Sequence, residues 1–382
     1  MHHDPQTVNA VAKAVDDLAP TLLELSHAIH ADPELAYDEH RAAARCADLL
    51  EAHGFGVERG AYGLVTSFAG RAGSSGPHVV LCAEYDALPG IGHACGHNII
   101  AASAIGAGLV LRPLVDEAGL RLTVLGTPAE ELGGGKVDLI DAGAFEGVDA
   151  ALMMHPTPFD DYSPTTLAIE EWRVVHHGVP SHASAAPELG RNALDGIVQG
   201  YVALAMLRQH LRPWQQVHGI IVDGGQAANV VPERAEASYF LRAKSNEDLE
   251  DLRQRARACL EGAATATGTR LEISKQGHAY EPIKRHAGLA SVFTSACEAI
   301  GRPFNPDPKG DSIGGSTDFG NVSNVVPGIH PYLSVDSDPA VNHQHEFAAA
   351  CVSEAGDRAV LDAAKALALT ALAVAADPGV LA

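Results

Sequence analysis

The sequence predicts an α/β protein in two parts: a mixed-sheet domain over residues 1–166 and 283–382, interrupted at 167–282 by a ferredoxin-like βαββαβ insertion. Three observations predict it. Strand-like apolar runs alternate with helical spacing through the early part of the chain. From about Leu167 the order changes to strand, helix, strand, strand, helix, strand, the split βαβ unit, which can bury a face of its own. At 382 residues the chain is long enough for one large domain and a smaller one, each with a core.

Taking the chain in order, Val11, Val15, Leu18, Leu22, Leu25 and Ile29 predict a helix over 7–30. The break at Asp32-Pro33 precedes a second helix, Glu39 to His53, which Gly54 stops. His27, His30, Glu34 and Glu39 gather at this junction, where helix capping is their expected task. Leu64 to Phe68 and His78 to Cys82 read as strands, and Ile99 to Leu111, rich in small residues, as a tightly packed helix. Arg121 to Leu125 and Val148 to Met154 are two further strand runs. Within the insertion, strands are expected at Leu167 to Val175, Val217 to Asp223, Ala235 to Ala243 and Arg270 to Gln276. Helices are expected at Asn192 to Leu211 and Glu247 to Thr267. After Pro282 come a helix at Leu289 to Ile300, a glycine-rich loop at 310–320, a strand at Gly328 to Val335 and a closing helix.

A formal charge of -22 argues against general affinity for nucleic acid or an anionic membrane surface, both of which need a basic face. The longest apolar segments read as too short or too interrupted for a bilayer span; around Leu367 to Ala375, the preceding Asp362 and Lys365 fit an amphipathic helix instead. Six cysteines include no Cys-x-x-Cys pair, and no secretory signal is evident, so a reducing cytoplasmic compartment is expected.

Chemistry gathers at His93-Ala94-Cys95-Gly96-His97, where a strand, a glycine-rich loop and a helix start meet. Amides at a helix N-terminus favour a nearby anion, so Cys95 sits where a thiolate is stabilised, and the thiolate is the form that binds metal. The runs ending at Leu125 and Met154 lead into Glu130-Glu131 and His155-Pro156. Three strand ends thus deliver potential ligands where open α/β sheets place their sites. Cys95, His97, Glu131, His155 and one of His343 or His345 exceed the three protein ligands usual for one catalytic zinc. Two divalent ions sharing a bridging group are therefore expected, zinc first, with manganese or cobalt as alternatives. Such a pair, roughly 3.5 to 4 Å apart, can hold a hydroxide and polarise an amide carbonyl. Glu130 is then left as the base that takes the water's proton and passes it to the leaving amine, and Asp86 is placed to orient a ligand.

Competing patterns fail on spacing. Gly90-x-Gly92-x-x-x-Gly96 misses the dinucleotide fingerprint by one residue, and Gly133-Gly134-Gly135-Lys136-Val137 lacks the spacing and hydroxyl of a phosphate loop. Zinc nucleobase deamination expects a Cys-x-x-Cys pair and a His-x-Glu element, neither of which occurs around the site.

Glu84-Tyr85-Asp86-Ala87-Leu88-Pro89, His93-Ala-Cys-Gly-His-Asn98, Pro128-Ala-Glu-Glu131, Met153-Met-His-Pro156, His177-Gly-Val-Pro-Ser-His182, Gly225-Gln-Ala-Ala-Asn229-Val-Val-Pro232 and Gly315-Ser-Thr-Asp-Phe319 closely resemble the M-twenty metallopeptidase family. The resemblance is to its amidohydrolase branch of hippurate, indole-acetyl-amino-acid and aminobenzoyl-glutamate hydrolases and β-alanyl dipeptidases. It covers nearly the whole chain with the motifs in order. It implies a metal-dependent amidohydrolase cleaving N-acyl amino acids or small dipeptides at a dinuclear site of Cys95, His97, Glu131, His155 and His343, with Glu130 as base. His343 is taken over His345 because the family's histidine stands three positions before Glu-Phe. The resemblance further implies that the insertion is a lid and a homodimer contact. It would send His182 into the partner's active site to donate to the oxyanion. Asn229 and Gly315 would lie by the substrate, and Arg242 would pair with its carboxylate. Asn98 in place of the more frequent aspartate, and Glu84-Tyr85 in place of Asp-Met or Asp-Phe, tilt the likeness toward the dipeptidase and aminobenzoyl-glutamate subgroup. A strict β-alanyl-type dipeptidase is the alternative enzyme and a metal-binding scaffold the alternative without turnover.

Overall fold

Apolar spacing in the first helix sets the first layer. In the computed structural model, which describes residues 3–308 and 315–382, α1 (Pro5–Ala31) buries Val8, Val11, Val15, Leu22, Leu25 and Ile29. Asp4 caps it, accepting the Thr7 amide at 2.9 Å. α2 (His40–Ala52) follows, its first amides taken by the Glu34 carboxylate. Then come β1 (Gly56–Arg59) and β2 (Phe68–Ala72). The strand expected at 64–68 begins only at Phe68. Gly60, Tyr62 and Gly63 adopt positive φ in the turn before it, a conformation no strand continues. β3 (His78–Ala83), α3 (His97–Leu111), α4 (Val115–Ala118), β4 (Arg121–Gly126) and α5 (Gly135–Asp141) follow. The run expected at 148–154 holds only a short strand, β5 (Ala150–Leu152), and β6 (His155–Thr157) begins just after it.

The chain then builds a second unit, 166–282, within one residue of the expected division at its start. Its elements are β7 (Ala168–His177), α6 (Ala193–Leu207), β8 (Gln216–Asp223), β9 (Arg234–Ala243), α7 (Asn246–Thr267) and β10 (Arg270–Tyr280). All neighbours pair antiparallel in the order β10-β7-β9-β8, which is the ferredoxin-like arrangement. Alternate residues of β9, from Ala235 to Ala243, are buried, and they join Leu249, Leu252 and Leu260 of α7 and Ile197 and Leu204 of α6 in a core of the unit's own.

Returning, the first unit adds α8 (Ala287–Ala299), α9 (Phe319–Val325), β11 (Gly328–Ile329), β12 (Tyr332–Ser334), α10 (His345–Ala350) and α11 (Glu354–Ala376). Of the glycine-rich loop expected at 310–320, residues 310–314 lie outside the described residues, and the loop gives way to α9 at Phe319. The strand expected at 328–335 is split into β11 and β12. The main sheet runs β1-β2-β4-β3-β5-β11, with β2 antiparallel to both its neighbours and β4, β3, β5 and β11 paired parallel, while β6 pairs with β12 apart from it. α3 is buried from end to end. At Gly106 a β-carbon would stand 2.7 Å from Leu22 of α1 and 3.0 Å from Ala364 of α11, so only glycine lets those helices close on α3. Contrary to the expectation that no segment is long enough, α11 has the length and composition to cross a membrane, but 67% of its apolar window is buried inside the protein. Its Asp362 and Lys365 are paired with Arg302 at 2.9 Å and Asp16 at 2.7 Å.

Candidate metal centre

β3, β4 and β5 lie side by side and parallel, so the segments leaving their carboxyl ends converge. Glu84 and Asp86 leave β3, Glu130 and Glu131 leave β4, and His155 opens β6 just past β5. The Cys95 loop is drawn against β6 by Gly96. Its φ is +80°, and a β-carbon there would meet Pro156 Cγ at 2.4 Å. His97 is the first residue of α3, two positions before the expected start. His343, also at positive φ, is tied to the same loop by its amide, which donates to the Ala94 carbonyl at 2.8 Å.

Donor atoms of Cys95, His97 and His155 lie within 4.8 Å of one another, as do those of Cys95, Glu131 and His343. The two groups share Cys95. Cys95 Sγ is 3.4 Å from His155 Nε2, Glu131 Oε1 is 3.6 Å from His343 Nε2, and His97 Nε2 is 3.8 Å from Glu131 Oε1. Bonds of 2.0–2.3 Å at tetrahedral angles put neighbouring donors roughly 3.3 to 3.6 Å apart, so this spacing fits divalent ions. Orientation fits as well. His97 holds Asp86 Oδ1 through Nδ1 at 3.1 Å and His155 holds the Pro156 carbonyl through Nδ1 at 2.8 Å, which aims both Nε2 atoms inward. His97 Nε2 and Glu131 Oε1 are buried without a hydrogen-bond partner. Asp86 serves two ligands at once, since its Oδ2 accepts the Glu131 amide at 2.9 Å. His345 opens α10, exposed, and belongs to neither donor group.

The electrostatics call for positive charge. Burial, then Glu131, holds the Cys95 thiol well above its usual range, and burial pushes Glu131 up to about 7. Burial, then Glu84 and Glu131, raises Glu130 well above the ordinary carboxylate range. Burial, then His330 and His97, keeps His155 well below the usual imidazole range, in the neutral ligand form. His97 is penalised by burial, but Glu84 and Asp86 outweigh that and raise it. Asp86, for which burial works in the opposite sense, is held low by His97 and the Glu131 amide. Divalent cations would favour the ionised thiol and carboxylates that this crowding otherwise suppresses.

Sequence reasoning missed three side chains here. Lys136, from the glycine run that lacks a phosphate loop's spacing, is buried and bonds both Glu84 and Asp318, the latter at 2.7 Å. Glu39 makes no side-chain cap to α2. Its Oε1 instead accepts the amide of Ala129 at 2.8 Å, while the amides of Gly134 and Gly135 reach the Ala129 carbonyl. Ala129 sits at φ 64°, so Glu39 clamps a left-handed residue directly before Glu130. Only the departure Glu84-Tyr85 signalled this neighbourhood in the sequence.

The other expected residues are in neither donor group. Gly315 is exposed in its loop with open space where a β-carbon would be. His182, Asn229 and Arg242 belong to the second unit. His182 and Asn229 are brought together: the Ala183 amide donates to the Asn229 carbonyl at 3.0 Å, and His182 bridges to Val230. His182 Nδ1 accepts the amide of Ala185 at 3.2 Å, which leaves its proton on Nε2 as a donor. Arg242 is half-buried at the far end of β9, over the Phe240 ring. Eight residues of strand, roughly 26 Å, separate it from Arg234 at the end nearer His182 and Asn229.

A family model, the peptidase dimerisation domain, matches residues 169–267. The Xaa-Arg dipeptidase of Mus musculus is 41% identical over 386 residues, covering 97% of this chain and 89% of that protein. One of the chains of the p-aminobenzoyl-glutamate hydrolase of Escherichia coli K12 is 33% identical over 296 residues, 71% of this chain and 60% of that one. Among solved structures, a dinuclear metal-binding peptidase of the M20 family from Bacillus subtilis superposes with a TM-score of 0.72 at 20% identity, covering 94% of this chain and 99% of that one. The aminobenzoyl-glutamate utilization protein of Klebsiella pneumoniae gives 0.73 at 19%, covering 94% and 97%.

Proposed function

The chain belongs to the M20 peptidase family of metal-dependent amide hydrolases, and from that premise we propose that it is a dipeptidase whose substrates end in a cationic residue. The similarity to the Xaa-Arg dipeptidases along nearly its whole length carries this reading. The charge of -22 agrees, because it raises the local concentration of cations. The cleft beside His343 adds the carboxylates of Glu346 and of Asp336, the latter shared with Arg358.

Cys95, His97, Glu131, His155 and His343 would hold two divalent ions, zinc first, with manganese or cobalt as alternatives. Bound there, those ions supply water activation and carbonyl polarisation. Glu130 takes the proton of the attacking water on its carboxylate and gives it to the leaving amine nitrogen. Asp86 keeps His97 and the Glu131 backbone in register for that task. Arg242 pairs with the substrate carboxylate, and Asn229 and Gly315 lie beside the substrate. The protein works as a homodimer through the inserted unit, in which His182 serves the partner's site with its Nε2 proton. Support for the dimer is an apolar edge on that unit: Ile220 and Val222 of β8 and Val198, Val202 and Met206 of α6 are exposed. Six unpaired cysteines agree with a cytoplasmic setting.

The test is hydrolysis by metal-reconstituted protein of a panel of dipeptides ending in Arg or Lys, neutral dipeptides and N-acyl amino acids, beside Glu130→Gln. Wild type releases the cationic amino acids fastest, and Glu130→Gln lowers kcat about 10²- to 10⁴-fold. Preference for acyl amino acids would overturn the dipeptidase assignment, and an unimpaired Glu130→Gln would remove Glu130 as base.

A further inference from the structure

Glu84 stands outside the five-ligand set, yet it directly follows β3 and is fully buried. Its two oxygens have opposite surroundings. Oε2 accepts from the Lys136 ammonium, which also bonds Asp318 Oδ1 at 2.7 Å, while Asp318 Oδ2 accepts the Lys136 amide at 2.9 Å. Oε1 is buried and accepts no hydrogen bond. Only 3.1 Å away stands His97 Nε2, likewise buried and without a hydrogen-bond partner. At that distance the two would bond if the oxygen lay along the ring's N–H axis, so it lies off that axis. Donors side by side at about 3 Å are instead what one cation needs when its bonds are near 2.1 Å and about 90° apart. A third donor, on Glu130, lies within 4.8 Å of both.

We propose that Glu84 is a sixth protein donor of the metal centre, binding through Oε1 the ion that His97 holds, with Lys136 and Asp318 as its positioning residues. The inference rests on the metal-dependent reading of this site and changes the donor set of one of its two positions. The position served by Glu131 and His343 already has a carboxylate oxygen, and with Glu84 the His97 position has one as well. Oxygen donors suit Mn²⁺, whereas thiolate and imidazole suit Zn²⁺, so Glu84 opens to Mn²⁺ a position that Cys95, His97 and His155 alone would reserve for Zn²⁺. Lys136 makes this arrangement tolerable: its ammonium balances the Glu84 and Asp318 carboxylates, and by occupying Oε2 it leaves Oε1 as the atom facing His97.

The experiment is titration of metal-free, full-length protein with Mn²⁺ alone, read by the electron paramagnetic resonance of unbound Mn²⁺, followed by Zn²⁺ competition. Wild type binds Mn²⁺ at two positions. Glu84→Gln weakens one of them about 10- to 100-fold for Mn²⁺ and leaves the other unchanged. A folded Glu84→Gln protein with unchanged Mn²⁺ affinity would overturn the proposal and leave Glu84 as a structural partner of Lys136. Should the variant not fold, wild-type crystals grown with Mn²⁺ decide by anomalous scattering. A manganese peak within about 2.3 Å of Glu84 Oε1 supports the proposal, and one beyond about 3 Å overturns it. Both readouts are independent of turnover, so an error in the substrate assignment leaves them intact.

Discussion

Gly96 shows how a single hydrogen atom in place of a side chain holds the centre together. Its φ of +80° and the 2.4 Å that a β-carbon would leave to Pro156 mean that Gly96→Ala must push the Cys95–His97 segment away from His155. The left-handed conformation alone costs about 1 to 2 kcal/mol, and the overlap adds to it. Gly96→Ala should lower the melting temperature and reduce bound metal, measured by calorimetry and atomic absorption. Full metal content at an unchanged melting temperature would show that the close approach is dispensable. Among the candidate ligands, Glu131 and His155 were legible because each follows an apolar run within a few positions, and Cys95 and His97 because a thiol and an imidazole stand two positions apart at a helix start. The supports were not. Glu84 meets Lys136 across 52 residues, Lys136 meets Asp318 across 182, and Glu39 meets Ala129 across 90, distances over which no local pattern speaks.

At the scale of elements, long periodic segments such as α1 and α7 stand close to their expected bounds, since a repeated apolar stripe has one way to be buried. The short strands do not. The apolar run at 328–335 contains a change of sheet, from β11 to β12, and the chain makes the matching change from β5 to β6 at the end of the run at 148–154; an apolar run is silent about which neighbour it pairs with. β8 carries a different consequence. It closes one side of its sheet, exposes Ile220 and Val222, and neighbours the Val198, Val202, Met206 stripe of α6 through the Tyr201 hydroxyl, which donates to the Gly219 carbonyl at 3.2 Å. An open apolar edge of this kind is a template for another strand. Ile220→Lys combined with Met206→Lys should turn a dimer into a folded monomer in sedimentation velocity. A doubly substituted protein that still sediments as a dimer would move the interface elsewhere.

For the whole molecule, the discontinuous first unit and its self-contained insertion were legible because the order of strands and helices changes at Leu167. On the proposed reading, residues at opposite ends of the inserted sheet serve one small substrate. Arg242 lies at one end of β9 and the His182 and Asn229 loops at the other, so pairing of two copies is the economical answer. Mixing His182→Ala with Glu130→Gln protein should restore activity to about a quarter of wild type per site, because random exchange leaves half the dimers mixed, each with one of its two sites intact. Mixtures no more active than either parent would confine each site to one copy.

The packing of α3 between α1 and α11 also has a consequence for the order in which the protein is made. α1 emerges from the ribosome before α3 and α11 long after it, yet both close on that same buried helix through the gap at Gly106. The insertion, by contrast, holds every residue of its own core between Ala168 and Leu260. During synthesis the insertion is therefore free to fold while the discontinuous unit waits, its central helix uncovered along one side, until translation passes residue 376. The metal-binding half is the last to acquire a lasting shape and the one that most needs shielding in the meantime.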